Sequence, residues 1–403
     1  MVARTPTRRE QRAQRRRQRR RRLGAAGVAG IVAAALVVAV AIGFGVHKVT
    51  SDSSTPERTQ ATVLMSVIGA DSSAVESALL AHDSKENRGV ELLLPSRVIS
   101  EVCGFGSQQL GRVVRLPGGE RLTRESVSSM LGGVKVDGSW TLSATQLAQL
   151  IDRVGGVTVD VDTDVILTQN GRRVLVIPKG PAQHLAGSRA VTYATYLARG
   201  EDSTGNLPRL QSVLDAFVGA LPRDPATAAR LLGSGGKSTA STLGAPRLAE
   251  LLLGLAADNR ANTVLPSVLP VVKIDSGGEA AFRVDADGTQ KLVSGNLAGS
   301  LPASANGPRA KVLIQNGVGT PGLVGSACRR IVNAGYSVVG SGNASTFDFT
   351  KSKVLVFDSS VASARLGDQI ARALKLSADD VAISQEGQNV ADVIVILGKD
   401  YRP

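Results

Sequence analysis

Between residues 23 and 46 the chain carries 24 positions without Asp, Glu, Lys, Arg or His, filled mostly by Ala, Val, Leu, Ile and Gly. As a helix this stretch would run about 36 Å, enough to cross a bilayer's hydrocarbon core of ~30 Å with some tilt. Beyond it the apolar pattern shortens. Residues 61–68 are apolar and β-prone and stop at Gly69-Ala70-Asp71-Ser72-Ser73, a strand ending in a turn. Residues 77–81 and 90–94 frame a polar turn, so a strand pair is expected there. Residues 120–131 have helical spacing. Residues 141–153 place apolar side chains at 142, 147, 150 and 151, with Ser143 as a candidate cap. That helix should end at Gly155-Gly156, and residues 157–161 alternate as a strand.

Helices are predicted over residues 187–198, 207–221, 225–232 and 245–255, and strands over 264–274 and 281–284. The uncharged, Pro- and Gly-bearing stretch 301–308 reads as a domain boundary. Past it, strands at 311–315, 336–340, 353–357 and 392–397 alternate with helices at 323–334 and 360–374, the pattern of a small α/β sandwich. The expected division is a basic tail (1–22), a membrane span (23–46), a linker (47–60), an α/β domain (61–300), a linker (301–308) and a second α/β domain (309–403).

Charge places these parts. The net charge is +13, and residues 1–22 hold eleven Arg against one Glu. The excess therefore sits in one segment beside the apolar stretch. That arrangement marks a cytoplasmic topogenic signal rather than a nucleic-acid arm, and it sends the C-terminal bulk outward. A cleaved signal peptide has a shorter apolar core and a small-x-small site; residues 43–48 offer no Ala-x-Ala, so an uncleaved anchor in the cell membrane is expected. Twenty-two residues cannot build a helix-turn-helix with a core, so no nucleic-acid partner is expected. The two cysteines, Cys103 and Cys328, stand 225 residues apart in what read as different domains. Outside the membrane a bridge is permitted, but two separate buried thiols is the favoured reading. The three His, at 47, 82 and 184, are scattered, and no Cys/His cluster has zinc spacing.

The order of motifs resembles the LytR–CpsA–Psr family of cell-wall glycopolymer transferases. The residues that carry it are Gly69-Ala70-Asp71-Ser72, Leu93-Leu94-Pro95, the segment LAQLIDRVGGVTVDV at 147–161, GPAQHLAGSRA at 180–190, and the Arg-Gln-bearing helix at 207–214. Residues 309–403, with Gln315-Asn316-Gly317-Val318-Gly319 and the closing Leu397-Gly398-Lys399-Asp400-Tyr401, resemble the LytR C-terminal domain. The resemblance implies an α/β(α) sandwich behind the anchor. It also implies a reaction that moves a glycan phosphate from a polyprenyl pyrophosphate onto peptidoglycan. Such chemistry calls for Arg forks and a divalent cation held by carboxylates.

The chain departs from the family's charge pattern. Ala74-Val75-Glu76-Ser77 stands where Arg-x-Asp-Thr is expected, Pro95-Ser96-Arg97 where Pro-Arg-Asp is expected, and Thr195 and Leu197 where paired Arg are expected. The surviving candidates are Asp71, Arg97, Arg199 and Arg209 as catalytic remnants, Gln211 on the pyrophosphate side, and Asp71, Glu76 and Asp202 as metal ligands. Losing several cations removes most of the field that defines a phosphoryl site. The expected function is therefore a non-catalytic, membrane-anchored envelope protein that binds a wall polymer, a polyprenyl-linked glycan or another envelope protein, with no cofactor. The alternatives are an active transferase, which would use Mg2+, and a structural tether for wall enzymes.

Overall fold

A computed structural model of the chain describes residues 58–233, 241–274, 280–301, 310–384 and 390–403. The expected Arg run, the membrane span, most of the first linker and nearly all of the second lie outside the described residues. Among the described residues no helix is long and apolar enough to cross a membrane.

The first body is built on strands β1 (Gln60–Ile68), β2 (Ala74–Asp83) and β3 (Arg88–Leu94), followed by a small hairpin, β4 (Ile99–Val102) and β5 (Gly106–Gln109). The short helix α1 (Leu110–Val113) and α2 (Gly119–Met130) lead to β6 (Gly138–Ser143), α3 (Ala144–Arg153) and β7 (Val157–Val161). A hairpin, β8 (Val165–Gln169) and β9 (Arg172–Ile177), and β10 (Gly180–Leu185) precede four helices: α4 (Gly187–Ala194), α5 (Leu207–Gly219), α6 (Pro225–Gly233) and α7 (Ala245–Arg260). β11 (Val264–Val268), β12 (Val271–Ile274), β13 (Ala281–Val284) and α8 (Ala286–Asn296) close it.

The main sheet runs β11-β3-β2-β1-β6. β2 lies between β1 and β3 and antiparallel to both, while β6 and β11 lie parallel to β1 and β3 respectively. Its central strands are apolar almost without alternation because both faces are covered. Met65, Leu80 and Leu93 face a core with Leu147, Tyr193, Leu210, Phe217 and Leu252 from the helices. Leu64, Leu79 and Leu92 face a second core with Val127, Leu131 and Leu297. Trp140 and Phe217 stack in the first core with ring centroids 6.4 Å apart.

Local chemistry explains the elements that position the site. Ser143 caps α3 in a full capping box with Gln146, as its sequence position suggested. Gly156 has φ +89°, and a Cβ there would meet the His184 ring at 2.8 Å, so only glycine makes this turn into β7. Gly187 lets α4 press on α3: a Cβ would stand 1.9 Å from the Ala148 carbonyl. Two expectations need correction. Residues 264–274 are not one strand. Pro270 and Leu269 divide them into β11, which joins the main sheet, and β12, which pairs only with β13. The helix expected to reach residue 198 ends at Ala194, which frees the following segment for the site.

The second body holds β14 (Lys311–Asn316), α9 (Leu323–Asn333), β15 (Ser337–Asn343), β16 (Lys353–Val356), α10 (Val361–Leu374), β17 (Val381–Ile383) and β18 (Val393–Leu397). Its sheet runs β15-β14-β18-β16-β17, parallel throughout except for β16 against β18. Both helices pack on it around Ile314, Ile331, Ile370 and Val395. The strand–helix alternation read from sequence is present, with β17 as an addition.

The two bodies are joined by a disulfide between Cys103, in the β4–β5 turn, and Cys328, buried on α9, with Cα atoms 5.5 Å apart. The expectation of two separate thiols is thus overturned. The physical reason is that the β4–β5 hairpin leaves the first body and packs against β15, carrying Cys103 onto the second core.

Candidate functional site

Asp162 directly follows β7, and the segment from Thr195 to Asn206 passes beside it before α5 begins. Arg209, in the first turn of α5, is only 3% exposed. A guanidinium so placed must find partners for its five N–H donors. It does: Nε and Nη2 donate to the two Asp162 carboxylate oxygens at 2.9 Å. Nη1 and Nη2 donate to the Glu201 carboxylate at 2.7 Å, and Nη1 donates to the Tyr196 carbonyl at 2.7 Å. The Tyr196 ring lies 5.8 Å from the guanidinium carbon. The Tyr193 hydroxyl donates to Asp162 at 3.0 Å, and the Ala198 amide donates to Glu201 at 2.8 Å.

Arg209 is thus a clamp that ties β7, the tail of α4 and the 195–206 segment to α5. Its hydrogen bonds hold both carboxyls below the ordinary carboxylate range and push its own pKa up. The five donors are all used within the protein, so this side chain offers none to a phosphate.

Glu76 lies at the start of β2, 1% exposed. The Asn206 side-chain amide donates to it. Burial pushes its carboxyl well above the usual range, which favours the neutral acid. A neutral, buried carboxyl with one oxygen already engaged is a poor cation ligand. Asp71 is exposed in the β1–β2 turn, where its carboxylate accepts from the Ser73 amide at 3.0 Å. That bond, with Arg115 nearby, lowers its pKa. Asp202 accepts from the Thr204 hydroxyl at 2.6 Å and amide at 3.0 Å. These bonds lower its pKa, as do the nearby charges of Lys273 and Arg97.

The structure therefore brings Glu76, Arg97, Asp202 and Arg209 to one end of the sheet, around the 195–206 segment. Asp71 stands in the β1–β2 turn at the same end, next to the start of β2. Asp71, Glu76 and Asp202 are not gathered: among the described residues no cluster of three or more His, Cys, Asp or Glu could hold a metal ion. Arg199 is exposed on the segment. Gln211 follows Arg209 by two positions on α5, a turn of about 200°, so it does not share the Arg209 face.

Sequence reading missed Asp162, Glu201, Asn206 and Lys273. One signal was available: Arg209 falls on the same helical face as Val213 and Phe217, where a charge must be paired to be buried. A second buried acid, Glu91 on β3, faces Asp215 of α5 in the first core; burial and the mutual repulsion raise its pKa.

Two family models match the chain. The LytR_cpsA_psr family model matches residues 107–225, and LytR_C, the LytR cell envelope-related transcriptional attenuator, matches residues 309–401. No curated protein matches the sequence. Among solved structures, B. subtilis TagV is similar with a TM-score of 0.50 at 17% identity, over 60% of this chain and 98% of TagV. TagT bound to LI-WTA gives 0.50 at 20% identity, over 61% of this chain and 92% of TagT. Protein gbs0355 from Streptococcus agalactiae gives 0.50 at 16% identity, over 60% and 89%. At such identities the likeness is one of fold. The chain thus carries a LytR_cpsA_psr family domain followed by a LytR_C domain.

Proposed function

We propose that this chain is a cell-envelope protein that binds a cell-wall glycopolymer, or its polyprenyl-linked precursor, without transferring it. The observation that carries this reading is Arg209. In a site that stabilises a pyrophosphate, a guanidinium at this place would present its fork to the ligand. Here the fork is closed by Asp162 and Glu201. Residues 23–46 anchor the protein in the cell membrane, with the Arg run in the cytoplasm and both α/β bodies outside.

A second reading is an active phosphotransferase. The observation in its favour is the nearness of Arg97 and Lys273 to Asp202, which leaves some positive charge at this end of the sheet. One experiment separates the two. The full-length chain in detergent is incubated with a polyprenyl pyrophosphate-linked glycan and peptidoglycan, with Mg2+ present. Binding of the lipid-linked glycan without release of polyprenyl phosphate supports the proposal. Release that is lost in Arg97→Ala or Lys273→Ala overturns it.

A further inference from the structure

A cavity of about 470 Å³ opens between α2 of the first body and the end of α9 in the second. Its first wall carries three cations, Arg121, Arg124 and Lys135, against one carboxylate, Glu125. Glu125 is paired with Arg121 at 2.6 Å. The Lys135 ammonium lies 3.9 Å from Asp137, whose carboxylate is already held by Arg58. Positive charge therefore remains on this wall. Arg124 also keeps a buried Nε without a hydrogen-bond partner, as does Glu125 at Oε2. The opposite wall is residues 332–335, where α9 ends. The Ile331 and Val332 carbonyls there already accept from the Tyr336 and Gly335 amides, so the carbonyls of residues 333–335 are the ones left without a following helical amide, at a helix end that carries partial negative charge.

We infer that this groove binds an anionic saccharide, a sugar chain carrying phosphate, sulfate or carboxylate groups as well as free hydroxyls. The two walls require both features. A bare polyanion would be drawn to Arg124 and Lys135 and repelled by the end of α9. A neutral sugar would meet the carbonyl ends and leave the cations unused. A chain with oxyanions and hydroxyls gives acceptors to the guanidinium and donors to the carbonyls. The walls belong to different bodies, and the bridge from Cys103 to Cys328 holds them together; Cys103, Glu125 and Val332 line a small adjoining recess. The inference rests on these walls alone and not on the reading of Arg209.

The test is fluorescence anisotropy of the full-length chain in detergent with labelled dextran sulfate, at about 0.15 M salt, where exposed charges are screened beyond roughly 8 Å. Unlabelled dextran and inorganic polyphosphate serve as competitors. The double substitution Arg124→Ala with Lys135→Ala should weaken binding about tenfold, and Glu125→Gln, which removes the negative charge paired with Arg121, should tighten it about threefold. Arg172→Ala with Arg173→Ala, an exposed basic pair on β9, should change nothing. The gain in Glu125→Gln keeps the test decisive if the double variant does not fold. Unchanged binding in both groove variants, an equal loss in the β9 control, or displacement by polyphosphate as efficient as by dextran sulfate would overturn the inference.

Discussion

Arg209 and Asp162, 47 residues apart, meet through two parallel hydrogen bonds of 2.9 Å, and the same guanidinium closes a second fork on Glu201. Three carriers of charge thus form one unit that holds the 195–206 segment in place. Removing the guanidinium leaves two carboxylates facing each other. Because Asp162 is half exposed, solvent softens that cost. Arg209→Ala should lower stability by about 2–3 kcal/mol, below the 3–5 kcal/mol of a fully buried pair. Arg209→Lys should recover only part of it, since an ammonium cannot close two forks. Denaturant unfolding of the three proteins measures this. A loss under about 0.5 kcal/mol, the range of ordinary surface changes, would mean that the clamp is not a structural element.

The same unit sets an acid limit. Asp162 and Glu201 have folded pKa values below their unfolded ones. Their contribution is present above the unfolded values, about 3.9 and 4.3, and is lost as pH falls through the folded values. Melting temperature should therefore drop steeply below about pH 4 in the parent and less steeply in Arg209→Met. Parallel slopes in the two proteins would refute this origin.

Glu76 acts with the opposite sign. Its folded pKa is raised by burial, so the unfolded chain releases that proton first. Stability is greatest below the unfolded value of about 4.3 and declines as pH rises toward the folded value. Glu91, raised beside Asp215, behaves the same way. Glu76→Gln and Glu91→Gln should each stabilise the protein at pH 8 relative to pH 5, as read from the pH dependence of the denaturation midpoint. A parent-like pH dependence in both variants would contradict the assignment.

How much of this was legible in the sequence follows the range of the interactions. The α3 cap, the Gly155-Gly156 turn and the strand–helix order after residue 310 are local, and local spacing displays them. The β8–β9 hairpin was legible too: Asn170 and Gly171 both take positive φ between two apolar runs, a strong hairpin signal that was not used. The break at Pro270 needed the recognition that Pro266 suits only an edge strand. The Arg209 partners were hidden for a different reason. Asp162 reads as one more polar position in an alternating strand, and only the tertiary fold reveals that it faces a buried guanidinium. The family resemblance named Arg209 but not the acids that occupy it.

The Cys103–Cys328 bridge closes a loop of 225 residues. A disulfide of this kind is typically worth about 2–4 kcal/mol. Cys103→Ser with Cys328→Ser should lower stability by that amount and make the 328-bearing body separable by limited proteolysis between the two bodies. Cleavage patterns identical to those of the oxidised parent would show that packing of β15 against the β4–β5 hairpin suffices by itself.

That bridge also decides how tension travels. If the protein is pulled between its N-terminal side and its C-terminal end, the load enters through β1 to β4, reaches residue 103, crosses sulfur to residue 328 and leaves through the second body. Residues 104 to 327, including α5, the 195–206 segment and the Arg209 clamp, lie off that covalent path and meet the load only through noncovalent contacts such as β6 on β1 and β11 on β3. The bridge thus divides the candidate site mechanically: Glu76 and Arg97 lie on the covalent load path, and Asp162, Glu201 and Arg209 lie off it.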